Sequence, residues 1–142
     1  MKPLPGIGIE AIENHAAVLG VFGAWPSFHD GEIHSLILDR SGPDGPYIEI
    51  CAHVFTCRPD LDCEGRYVRD KEAMVSMRFA KIESAEIVGF NEQNAIFRLD
   101  IERDEDRIRV VIHSSYGCSA SFLCRQVSIR EVVPKSVGGG SA

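Results

Sequence analysis

At 142 residues, 44% of them hydrophobic and 25% charged, the chain has globular proportions and is too apolar to be disordered. Fifteen Lys and Arg against 21 Asp and Glu leave a formal charge of −6, a field that repels phosphate backbones and anionic lipid surfaces. Composition thus counts against a nucleic-acid binder and a membrane-surface protein. No run approaches the roughly 20 consecutive apolar residues of a membrane span. One domain over residues 1–137 is expected, followed by a flexible Gly/Ser tail at 138–142. The opening residues lack the continuous apolar stretch of a secretory leader, so a cytoplasmic location is the expectation.

Residues 9–19 place Ile9, Ile12, Ala16 and Leu19 at helical spacing. Glu10 and Glu13 stand in the first turns, where the helix dipole favours them, and Gly20 offers a stop. This predicts one N-terminal helix. Val21–Ser27 reads as a connector carrying Phe22 and Trp25. Pro26 holds Trp25 extended, and Trp25 and Phe28 are expected to be buried anchors.

From Glu32 the texture turns to period two. Glu32–Arg40 sets His34, Leu36 and Leu38 against Ile33, Ser35 and Ile37, which predicts a strand covered on both faces. Ser41–Pro46 is dense turn chemistry. Tyr47–Phe55 then sends Ile48, Ile50, Ala52 and Val54 inward and Glu49, Cys51 and His53 to the other face. Residues 58–72, polar and rich in Asp and Arg, read as a long loop. Met74–Ile82, Ala85–Phe90, Ala95–Glu102, Arg107–Ser114, Ser119–Cys124 and Val127–Val133 complete the series, with a hairpin tip at Arg103–Asp106 and Pro134 as a terminator. About six to eight strands in succession, with a helix at one end, predict a mainly β (α+β) fold. An antiparallel sandwich or half-barrel is expected rather than βαβ units.

The densest polar cluster, Ser27–His34, stands at the entrance to the first strand. If that strand begins at Asp30, period two puts Asp30, Glu32 and His34 on one side. With His29 they form a candidate metal-ligand or acid–base set. The structural alternative, which we rank first, has His29 and Asp30 bonding loose backbone groups at the turn and holding Trp25 and Phe28 in place. The run Cys51, His53, Cys57 and Cys63 contains soft ligand types but lacks the paired C-x2–4-C spacing of zinc sites. Asp60, Asp62, Glu64 and Gly65 copy the first half of an EF-hand loop, but Lys71 occupies the position of its bidentate Glu. A solvated acidic loop fits better. Five cysteines, at 51, 57, 63, 118 and 124, are odd in number and are read as free thiols. No nucleophile elbow, phosphate-binding glycine loop or H-E-x-x-H motif is present, so neither catalytic residues nor a cofactor is predicted.

Trp25-Pro-Ser-Phe-His-Asp30, followed by Glu32 and an alternating strand, resembles a family of small bacterial proteins grouped with immunity protein 50 of polymorphic toxin systems. Met77-Arg-Phe79, the stretch Gly89–Asn94 leading into a strand, and a closing strand before Pro134 fit the same pattern, from about Phe22 to Pro134. The resemblance implies a non-enzymatic cytosolic protein that protects its own cell by binding and neutralising a toxin domain. It brings no catalytic residue set. A basic toxin would suit the acidic chain. The candidate contact residues are then Asp60, Asp62 and Glu64 in the polar loop, and Asp104, Glu105 and Asp106 at the hairpin tip. An enzyme centred on His29, Asp30, Glu32 and His34, and a structural module without chemistry, are the alternatives.

Overall fold

The computed structural model describes Ile9 and residues 12–61 and 67–135, and is read at the backbone alone over 58–61 and 67–70; the tail at 138–142 lies outside the described residues. A short helix, α1 (Ala16–Phe22), precedes eight strands: β1 (Glu32–Asp39), β2 (Tyr47–Leu61), β3 (Tyr67–Ala80), β4 (Ser84–Val88), β5 (Ala95–Asp104), β6 (Arg107–Tyr116), β7 (Ser119–Cys124) and β8 (Gln126–Lys135). All eight join one antiparallel sheet in the order β4-β7-β6-β5-β1-β2-β3-β8. The fold is mainly β with one helix, as the alternating sequence predicts. Among the described residues no helix is long and apolar enough to cross a membrane.

Period two builds the core directly. Ile48, Ile50, Ala52 and Val54 of β2 are buried beside Ala73, Val75, Met77 and Phe79 of β3. Ile108, Val110 and Ile112 of β6 pair across to Ala120, Phe122 and Cys124 of β7, and all six are buried. A one-residue slip in any of these strands would turn its apolar set to solvent, which pins the register.

The sheet folds over on itself. β1 and β5 pair only at Glu32–Ala95, and from that junction β1-β2-β3-β8 and β5-β6-β7-β4 diverge as two layers. Phe79 of β3 and Phe122 of β7 meet edge to face with centroids 4.9 Å apart, although β6, β5, β1 and β2 lie between their strands in the sheet. Neighbouring strands lie about 4.8 Å apart, so a flat sheet would hold those rings about 24 Å from each other. The core therefore sits between the two layers. α1 adds Val18 and Phe22 to the same cluster and packs against β3 and β8.

Four details depart from the sequence reading. The helix begins at Ala16, not residue 9. Glu13 instead forms a parallel bridge with Ser128, its N–H donating to the Val127 carbonyl at 2.9 Å and its carbonyl accepting from Ile129 at 2.9 Å. Asn14 then takes a left-handed turn (φ 62°) into the helix, Gly20 lies inside it, and Gly23 (φ 80°) supplies the stop. β1 is not covered on both faces. Ile37 and Leu38 are 49% and 60% exposed: Ile37 shares the outer face with Glu49, and Leu38, opposite buried Ile48, lies far along β1 from its single pairing with β5. The stretch 58–72 is not a long loop. β2 runs on to Leu61 and β3 starts at Tyr67, with Thr56 opposite Lys71 and Cys57 opposite Arg69. Backbone pairing carries this ribbon without needing an apolar face, so its polar sequence concealed it. Finally, Pro134 lies within β8, opposite Ala73, and not beyond it. β8 ends the sheet, and on an edge strand the missing proline N–H costs no ladder bond.

Candidate partner-binding site

The Trp25–Asp30 stretch is stitched to the β1–β5 junction by backbone bonds. The Asp30 N–H donates to the Ile96 carbonyl (2.8 Å), the Ile96 N–H to Gly31 (2.8 Å), the Gly31 N–H to Phe28 (3.0 Å) and the Ile33 N–H to Asn94 (2.9 Å). This path forces positive φ on Phe28 (67°) and Asp30 (68°), a conformation that bulky L-residues adopt only when their surroundings impose it. Phe28 is 2% exposed and drives the turn into the core, while Trp25 is only half-buried and stacks on it at 5.7 Å. Gly31 cannot be replaced cheaply, because a Cβ there would stand 2.9 Å from the His53 carbonyl oxygen.

Asn94, 2% exposed, locks the other side of the junction. Its Oδ1 accepts from the backbone N–H groups of Asn91 (2.9 Å) and Cys118 (3.1 Å), and its Nδ2 donates to the Asn91 carbonyl (2.7 Å). Its own N–H donates to Glu32 Oε2 at 2.7 Å. One amide thus ties the 91–94 turn, the start of β1 and the 117–118 turn together. Gly117 (φ 85°) comes so close that a Cβ would fall 2.2 Å from the Gln93 carbonyl oxygen.

The four residues of the metal or acid–base candidate have separate surroundings. His29 and Asp30 stand on the surface, Nδ1 to Oδ2 3.6 Å, with the His29 ring edge-on to Phe97. Glu32 is engaged by Asn94. His34 faces His53 across 6.4 Å, and His53 Nε2 lies 2.7 Å from Glu72 Oε1. Among the described residues no three His, Cys, Asp or Glu side chains form a group that could hold a metal ion. His113 is engaged elsewhere than with Ser114. Its Nε2 lies 2.9 Å from Asp100, with Arg98 Nη2 3.3 Å away, while the neighbouring Ser114 hydroxyl pairs with Ser119 at 2.8 Å.

Of the acidic tracts, Asp60 is described at the backbone alone, near the end of β2, and Asp62 and Glu64 lie outside the described residues. Asp104, Glu105 and Asp106 form the exposed β5–β6 tip, but arginines thread it. Arg125 donates to Asp106 (2.7 Å) and Glu83 (2.7 Å), Arg107 lies 3.4 Å from Glu83, and Arg103 donates to the Glu105 carbonyl (3.2 Å). Of the tip's carboxylates, Asp106 is therefore already paired with a cation.

Sequence reading missed a different surface. Glu32, Asn91, Glu92, Gln93 and Tyr116 line an open depression of about 580 Å³ beside the Asn94 lock. Around the junction Phe90, Phe97 and Tyr116 are 49%, 50% and 56% exposed. Single exposed apolar residues are ordinary, but three aromatics near one junction are not. The turn-rich stretch Gly89–Asn94 was the available signal.

The described cysteines, Cys51, Cys57, Cys118 and Cys124, are free, and Cys63 lies outside the described residues. Cys118 and Cys124 are buried, and burial pushes the Cys124 thiol up to about 12. Since the thiolate is the reactive form, Cys57, which is exposed, should react with an alkylating reagent in the native protein, whereas Cys118 and Cys124 should react only after unfolding. Peptide mapping after timed alkylation checks this, and native labelling of Cys124 as fast as Cys57 would contradict the packing.

The chain matches the family model described as Immunity protein 50 over residues 14–135, most of its length. No curated protein and no solved structure matches it.

Proposed function

The chain belongs to the immunity protein 50 family, and from that premise we propose that it binds and neutralises a toxin domain in the cytoplasm without catalysing a reaction. The family match over residues 14–135 carries this reading. Two structural facts support it. Asn94 and one carboxylate oxygen of Glu32 are spent on backbone bonds at the junction, and the fold presents half-exposed aromatics on a stiff β scaffold, the usual make-up of a protein-binding surface. A net charge of −6 would also draw a basic partner into encounter.

The test is a search of the adjacent genes for a toxin domain, co-expression of any such domain with this chain, and titration of the purified pair. A stoichiometric complex that abolishes toxicity is expected. Toxicity undiminished by the folded protein, with no complex on size exclusion, would overturn the reading.

A further inference from the structure

The depression beside the Asn94 lock is acidic, aromatic and prearranged. Glu32 and Glu92 bring two carboxylates to it, Tyr116 brings a half-exposed ring, and no lysine or arginine lines it. Among the described residues only one oxygen of Glu32 is engaged, by the Asn94 N–H. The side chains of Glu92 and Gln93 make no hydrogen bond among the described residues. Phe90, directly before Asn91 in the chain and outside that lining, is also half-exposed. The backbone beneath does not need ordering on binding. Asn94 fixes Asn91, the Asn91 Oδ1 accepts from the Gln93 N–H (3.0 Å), and its Nδ2 donates to the Gly89 carbonyl (2.8 Å).

A carboxylate pair beside an exposed aromatic face is complementary to a cation. The carboxylates attract it, the ring quadrupole attracts it again, and the ring supplies apolar area for its methylene stem. Resting on the immunity reading above, we propose that this depression is the toxin-docking surface, with Tyr116 as the anchor and an arginine or lysine side chain of a basic protein partner as its occupant. No cation lines this surface, whereas at the β5–β6 tip Arg125 already pairs with Asp106 and two further arginines, Arg103 and Arg107, stand within or beside the tip and would repel a cationic partner.

The experiment takes a toxin domain whose toxicity is relieved by co-expression with this chain and measures its binding to the full chain and to Tyr116→Ala, Glu92→Lys, and two controls, Asp104→Lys at the tip and Val133→Ala on β8. Both controls are exposed and lie away from the depression. The expected result is a Kd at least tenfold weaker for Tyr116→Ala and for Glu92→Lys, with both controls within about threefold of the parent, each variant being checked for an unchanged melting temperature. Hydrogen exchange on the complex should slow at Asn91–Gln93 and Tyr116. If the parent binds and the depression variants bind equally well, this surface is wrong and the immunity reading stands. If the parent does not bind at all, the immunity reading falls and the surface with it. A depression that instead joins two copies of this chain would appear as a Tyr116-dependent dimer on size exclusion with toxin binding unaltered, which also overturns the proposal.

Discussion

Replacing Asn94 with alanine is expected to cost about 3–5 kcal/mol, seen as a lower urea midpoint with an unchanged slope. The amide serves four backbone groups, in two turns and at the start of β1, and its residue is 2% exposed, so water cannot take over inside. Each buried donor or acceptor left unpaired costs about 1–3 kcal/mol, which makes the total large against a domain stability of about 5–15 kcal/mol. Gly117→Ala should harm the same junction by another route. Its Cβ would press on the Gln93 carbonyl oxygen and the Asn94 Cα, both backbone atoms with nowhere to go, at a φ of 85° that alanine disfavours. A loss below about 1 kcal/mol for Asn94→Ala would show that the junction does not depend on this amide.

The contrast between what the sequence disclosed and what it concealed has a physical basis. β2 was legible because Ile48, Ile50, Ala52 and Val54 alternate with polar residues, and burial on one face is all that alternation requires. The helix was misplaced because Ile9, Ile12, Ala16 and Leu19 satisfy helical spacing whatever the backbone does. What decides the conformation at Glu13 is a pair of hydrogen bonds to β8, more than 100 residues away in the chain. Period also cannot report how far a second layer extends, so Ile37 and Leu38 read as covered although they are 49% and 60% exposed. The candidate cluster was half legible. His29, Asp30 and Glu32 do mark a special turn, but Asn94, the residue that organises it, is 62 positions from Glu32, and an isolated asparagine looks like any turn residue.

That long-range character can be tested at the core. Phe79→Ala and Phe122→Ala should each cost about 3–5 kcal/mol, since both rings are buried, at 1% and 2% exposure. The informative quantity is their coupling. Edge-to-face rings at 4.9 Å should contribute about 0.5–1.5 kcal/mol beyond burial, so the double variant should lose less than the sum of the singles by about that amount. Phe79→Leu and Phe122→Leu provide the same cycle in proteins that stay folded if the alanine pair does not. Only a sheet that folds over at the single Glu32–Ala95 pairing can bring β3 and β7 into contact, because no hydrogen-bonded path shorter than β6, β5, β1 and β2 joins them. Strictly additive losses, within about 0.3–0.5 kcal/mol, would mean that the two layers do not pack through these rings. Coupling of the expected size would fix the closed arrangement in solution. It would also fix the junction at the start of β1, where the fold turns and the aromatic, acidic depression is built.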